Sequence, residues 1–166
     1  HGYWFIDVPV GSVGQGEEVG PGEPVFAGDG MIYQIDFSQA AEGTAILKTR
    51  LTTPPSFIAD KVTTDAPKGS DLNALKFSEM GLGRLSFKLG MRHDLNTAFL
   101  PFKFANDDHY RMLVTADDGR PFEIDLETLE TVTPIGYNKE WRGILGGGIN
   151  IFGRPFGVMP FQLYMS

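Results

Sequence analysis

Apolar and polar side chains alternate at period two over several stretches of this chain, the pattern of half-buried strands. Tyr3 and Phe5 alternate with Trp4 and Ile6, predicting a strand over residues 2–10. Met31, Tyr33, Ile35 and Phe37 alternate with Gln34, Asp36 and Ser38, predicting a strand that Gly28-Asp-Gly30 turns into and whose core face is the Met31 side. Glu42-Gly43 turns the chain back into a strand over 44–51. Pro54-Pro55 breaks that strand, and Ser56 is placed to cap a short helix over Phe57 to Val62. Leu72, Leu75, Phe77 and Met80 suggest a second short helix over 72–80, ending at Gly81. Arg84 to Arg92 is ambiguous, because Leu85, Phe87 and Leu89 alternate within a short segment flanked by glycines.

The last clear pattern is a meander. A strand over 96–104 carries Pro101, which demotes part of it to an edge. Asn106-Asp-Asp108 turns into a strand over 110–116. Then Phe122, Ile124 and Leu126 alternate with Glu123 and Asp125, Asp125 to Thr128 supplies turn chemistry, and Leu129 and Val132 resume the apolar face. A hairpin this compact after another strand is the building unit of a β-propeller blade. The sequence contains no exact repeat. The hairpin over 30–51 and the meander over 96–133 are parts of two successive blades, and two blades alone leave edges and apolar faces uncovered.

Composition narrows this picture. The 166 residues are 42% apolar, and Gly 21 with Pro 11 favour turns and short strands over long helices. The net charge of −7 argues against nucleic-acid binding, which needs clustered Lys and Arg. Without cysteine there is no disulfide framework, thiolate metal site or cysteine nucleophile. No apolar run reaches the roughly 18 residues of a spanning helix and no signal peptide is visible, so the cytoplasm is the default location. The chain opens on His1 within a strand-like run and closes on the apolar Phe161-Gln-Leu-Tyr-Met-Ser166, whereas termini are usually frayed and polar. The expectation is one incomplete domain over 1–166, cut from a longer protein.

Candidate chemistry is sparse. His1, His93 and His109 share no metal-ligand spacing. His109 lies in a polar turn, and His93, between Arg92 and Asp94, suits local ion pairing or a loop-fixing hydrogen bond. Gly11-Ser-Val-Gly14-Gln-Gly16 and Gly146-Gly-Gly148 lack the spacing and context of phosphate-binding loops. Asp117-Asp118 is by default a solvated turn. Most of the thirteen phenylalanines belong to blade cores.

Four segments taken together resemble the carotenoid cleavage oxygenases. Phe26-Ala-Gly-Asp-Gly-Met-Ile32 matches an F-x-G-D-G-M element of that family. Leu47-Lys-Thr-Arg-Leu-Thr-Thr53 resembles the following strand, which ends in R-x-x-x-T. Leu95-Asn-Thr-Ala98 resembles an N-T-A strand start, and Asp117-Asp-Gly-Arg-Pro121 with Leu126-Glu-Thr-Leu-Glu-Thr131 resembles an E-x-G-x-P…D-x-x-T-L-E-T hairpin. Gly2-Tyr-Trp-Phe5 fits the strand before them.

The resemblance implies an all-β fold with a few short helices, covering about the first two blades of a seven-bladed propeller. It implies a non-haem Fe(II) dioxygenase that cleaves a conjugated double bond of a carotenoid or apocarotenoid, with iron on four histidines at the propeller axis. The apolar polyene would enter from a membrane surface, giving the whole protein a peripheral membrane contact. The family's first iron histidine belongs to a T-A-H-P element after the segment resembled by 157–166, and the chain stops short of it. No iron ligand carries over, so this chain alone is expected to bind no metal and to be inactive. Asp117 falls where the family has a carboxylate that hydrogen-bonds an iron-bound histidine, usually a longer Glu; it is equally a plain turn aspartate. The alternatives are a non-enzymatic propeller segment serving as a binding module and an ordinary β-sandwich.

Overall fold

The computed structural model describes residues 2–11, 28–79, 84–116, 120–137, 149–151 and 154–156. These residues are mostly antiparallel β structure. Strands β1 (Tyr3–Val10), β2 (Asp29–Asp36) and β3 (Ile46–Leu51) form one sheet in that order. One helix, α1 (Pro55–Thr64), follows, then a 3-10 turn over Asp71–Leu75. Strands β4 (Ser78–Glu79), β5 (Arg84–Ser86) and β6 (Gly90–Met91) make a small sheet. Strands β7 (Ala98–Phe102), β8 (Arg111–Thr115), β9 (Phe122–Ile124) and β10 (Thr131–Pro134) form a four-stranded meander. A last hairpin pairs β11 (Ile149–Ile151) with β12 (Arg154–Phe156). The predicted loop over 11–24 lies almost wholly outside the described residues. Pro101 sits on edge strand β7, the position the missing N–H permits.

The core lies between the first sheet and the meander. Ile32, Leu95, Val114, Ala116, Phe122, Ile124 and Leu129 are buried there, with Phe5, Phe99 and Met112 packed against them. Phe5 and Phe99 meet at 5.5 Å between ring centroids, which joins β1 to β7. The phase of β2 is the reverse of that expected from its alternation. Ile32 and Gln34 face the core, while Met31, Tyr33 and Ile35 lie on the opposite face of the sheet. The register places Trp4, Ile6 and Val8 beside those three residues and Leu47 and Leu51 beyond them. That apolar outer face is largely bare; Trp4 is 66% exposed. The more apolar side of the strand is thus the one left uncovered among the described residues.

Gln34 is tolerated inside because its amide is used. Its Nε2 donates to the Leu126 carbonyl at 2.9 Å. Two further donors from the same sheet face reach the next two carbonyls: Lys48 Nζ to Glu127 at 3.3 Å and Arg50 Nη1 to Thr128 at 3.2 Å. The turn they hold is pinned from within by Asp125, whose Oδ1 accepts from the amides of Thr128 at 2.7 Å and Glu127 at 2.9 Å. Those amide bonds, Thr128 first, hold the Asp125 carboxyl below its usual range. Leu126 is therefore an exposed turn residue rather than part of a strand. Leu129 buries itself through a left-handed backbone at φ 61°, and Val132 faces solvent.

Two local expectations need correction. Ser56 does not cap α1: Pro54 occupies the cap position, Pro55 starts the helix, and Ser56 donates to the His93 carbonyl at 2.6 Å. The buried face of α1 is Ser56, Ala59, Asp60 and Thr63, leaving Ile58 and Val62 exposed. The helix expected over 72–80 is instead a 3-10 turn followed by β4; Phe77 is buried, but Leu72 is exposed. The ambiguous segment over 84–92 forms β5, which buries Arg84 and Ser86, while Phe87 projects from the turn after it. Around Asp60 and Arg84, a buried charge cluster draws polar faces inward.

Candidate functional site

Arg92 is the centre of that cluster and is almost fully buried. Its Nε donates to Asp60 Oδ2 at 2.7 Å, and its Nη1 donates to Asp94 Oδ1 at 2.8 Å and to the Gly28 carbonyl at 2.5 Å. Its Nη2 pairs with Asp29. Arg84 grips Asp60 through both terminal nitrogens, at 2.8 Å and 2.9 Å, and lies over the Phe77 ring. Helix α1 presents Asp60, β2 begins at Asp29, β5 presents Arg84, and the segment before β7 supplies Arg92 and Asp94. Five charged groups from four segments therefore share one dry volume, which the desolvation cost permits only with such bonding.

The motif residues cluster around it. Asp29 and Gly30 are the centre of the F-x-G-D-G-M match, and both lie inside β2 rather than in a turn before it. A Cβ on Gly30 would overlap the Leu95 carbonyl oxygen and come within 2.7 Å of that of Asp94. Leu95 itself holds a left-handed φ of 47°. Thr52 bridges the two sides, its hydroxyl donating toward the carbonyls of Gly30 at 3.3 Å and Asp94 at 3.4 Å. The segments containing Asp29, Gly30, Thr52 and Leu95 thus build the joint between the two sheets.

The predicted site residues fare differently. Asp117 and Asp118 lie outside the described residues, as does His1. His109 is exposed in a bend. The ion pair expected around His93 forms between its neighbours, Arg92 and Asp94, while the imidazole is half-buried. Burial lowers the His93 pKa to about 4, and the nearby Arg120 and Arg92 cations add to the effect. Those guanidiniums also oppose a cation at the ring. Among the described residues no three His, Asp or Glu side chains converge as a metal site. The described residues therefore do not fit an Fe(II) centre.

A residue that the alternation pattern did not single out is Asp7. It sits on the core-facing side of β1, opposite Ile32, and among the described residues its carboxylate oxygens have no well-formed hydrogen bond beyond the weak pull of the adjacent Val8 amide. Burial pushes its pKa up to about 8 against the pull of the Val8 amide. A carboxyl that binds its proton more tightly when folded loses stability as pH rises from its unfolded value. Folding stability should therefore fall from Asp7 between about pH 4 and pH 8, whereas His93 should lower stability as pH drops from 6.5 toward 4. In thermal melts, Asp7→Asn should gain about 2 kcal/mol at high pH and little at low pH. His93→Gln should be protected only on the acid side.

Where α1 meets β10, an open cleft of about 410 Å³ is lined by Thr53, Pro55, Ile58, Phe122, Thr131, Val132 and Pro134. No described helix is long and apolar enough to cross a membrane.

No protein-family model matches the chain, and no curated protein matches it. Solved structures do. Two variants of the Synechocystis apocarotenoid oxygenase, one glutamate-to-aspartate and one tryptophan-to-alanine, each superpose with a TM-score of 0.55 at 19% identity, over 81% of this chain. A glutamate-to-glutamine variant of the same enzyme gives 0.55 at 18% identity. The chain spans 26% of those chains' length. The likeness shows that this chain has a carotenoid-oxygenase-like fold.

Proposed function

We propose that the chain is part of a non-haem Fe(II) dioxygenase that oxidatively cleaves a conjugated double bond of a carotenoid or apocarotenoid, to which it contributes two neighbouring propeller blades. The observation that supports this most is the convergence of Asp29, Gly30, Thr52 and Leu95 at the joint between the sheets, in a fold like that of an apocarotenoid oxygenase. The motif resemblance and the three-dimensional likeness support the same reading. In this reading the chain supplies framework and part of the substrate enclosure. Iron ligands come from elsewhere in the longer protein, since His93 is flanked by cations and His109 lies in solvent.

The experiment has two arms. The longer protein containing this chain, loaded with Fe(II) and supplied with an apocarotenal and dioxygen, should yield two shorter carbonyl products by mass spectrometry. The 166-residue chain should bind Fe(II) no better than a variant with its three histidines replaced by alanine. Tight stoichiometric binding by the chain would overturn the assignment of ligands. Absence of cleavage by the iron-loaded longer protein would favour the binding-module reading, which the bare apolar face of the first sheet also suits.

A further inference from the structure

We propose that the Asp29–Asp60–Asp94–Arg84–Arg92 cluster is a proton-linked latch between the two sheets, with Asp94 as the group that takes up and releases the proton. Among the described residues the charges do not balance: three carboxylates face two guanidiniums, a surplus of one negative charge when all are ionised. Asp60 receives three charged N–H bonds and is the best-neutralised member. Asp94 receives one, from an Arg92 Nη1 that also serves the Gly28 carbonyl. It is also the carboxylate nearest water, with 12% of its side chain exposed against 1% for Asp60 and 2% for Asp29. The surplus charge and the route for a proton therefore coincide on Asp94.

Among the described residues the charged groups acting on Asp94 are Arg92 on its own segment, Asp29 from β2 and Arg84 from β5, with Asp60 of α1 sharing Arg92; the adjacent His93 is held neutral by its surroundings. Burial raises the Asp94 pKa to about 7, Arg92 opposes the rise and Asp29 adds to it. The mechanical link is the backbone. The Asp94 and Leu95 carbonyls lie against Gly30, Thr52 holds the first of them, and Thr97 N–H then joins the Thr115 carbonyl at 3.1 Å at the entry to β7. Ionised Asp94 repels Asp29 across this contact; protonated Asp94 does not. The sign follows: the folded chain holds the proton more tightly than the unfolded one, so the latch is tightest at low pH and loosens as pH rises toward and through about 7.

The test is a carboxyl NMR titration of Asp94 in the 166-residue chain, with amide exchange at Arg92, whose N–H bonds the Arg84 carbonyl at 2.9 Å, and at Thr97. The Asp94 carboxyl should titrate near neutrality. Protection of both amides, corrected for intrinsic exchange, should fall several-fold between about pH 6 and about pH 8. In an Asp7→Asn background, which removes the pH dependence of Asp7, a fall should persist, and adding Asp94→Asn should abolish it. An Asp94 titration near the ordinary carboxylate value would overturn the proposal, as would an unchanged fall in the double variant. Should Asp94→Asn fail to fold, the wild-type carboxyl titration alone decides.

Discussion

Arg92→Met should cost about 3–5 kcal/mol, enough to unfold much of the chain, since removing one partner of a buried ion group leaves the others uncompensated. Asp29 and Asp94 would each lose their contact with Arg92, and Asp60 would keep only Arg84. Urea denaturation followed by tryptophan fluorescence measures the loss. A useful control is Arg111, which pairs with Asp107 at 2.7 Å and Glu123 at 3.0 Å but is about a third exposed. Arg111→Met should cost far less, because water screens the pair. Equal costs for the two variants would show that the buried cluster has no special place in the fold.

Gly30→Ala should be nearly as damaging through a different mechanism. The added methyl meets main-chain carbonyls of Leu95 and Asp94, which cannot swing aside like the end of a flexible side chain. Overpacking against backbone costs about 3 kcal/mol, and relief requires β2 to part from the segment that enters β7. Gly43 provides the contrast: its φ of 74° disfavours a side chain, yet nothing lies within 4 Å of the added carbon. Gly43→Ala should therefore cost about 1 kcal/mol from backbone strain alone. Paired denaturation curves separate steric exclusion from conformational preference.

These two positions also mark the limit of what was legible in the sequence. Period-two alternation identified the courses of β1, β2 and β9, because each has a face that packs on a core. It misassigned the inward face of β2, since Gln34 is made acceptable by a carbonyl 92 residues away that no local pattern reveals. The same blindness hid the charge cluster. Arg92 and Asp29 are 63 residues apart, and Arg92 and Asp60 are 32 apart. No spacing rule connects them, and three of the four buried positions of α1 (Ser56, Asp60 and Thr63) are polar. Two local signals did exist: an aspartate between two glycines at 28–30, and opposite charges flanking a histidine at 92–94. Family resemblance drew attention to the first as a motif. Only the fold shows that it serves an ion pair and a close backbone approach.

The turn over 125–128 carries one more consequence. Gln34, Lys48 and Arg50 grip it through three successive main-chain oxygens, and Asp125 fastens it through two main-chain amides. The side chains of Leu126 and Glu127 take no part in those bonds. This turn is recognised as a shape and not as a spelling, so its two middle letters are free to drift while the residues that hold its backbone are not. The gap in D-x-x-T is where the neighbouring sheet reads peptide groups, which every amino acid there provides alike.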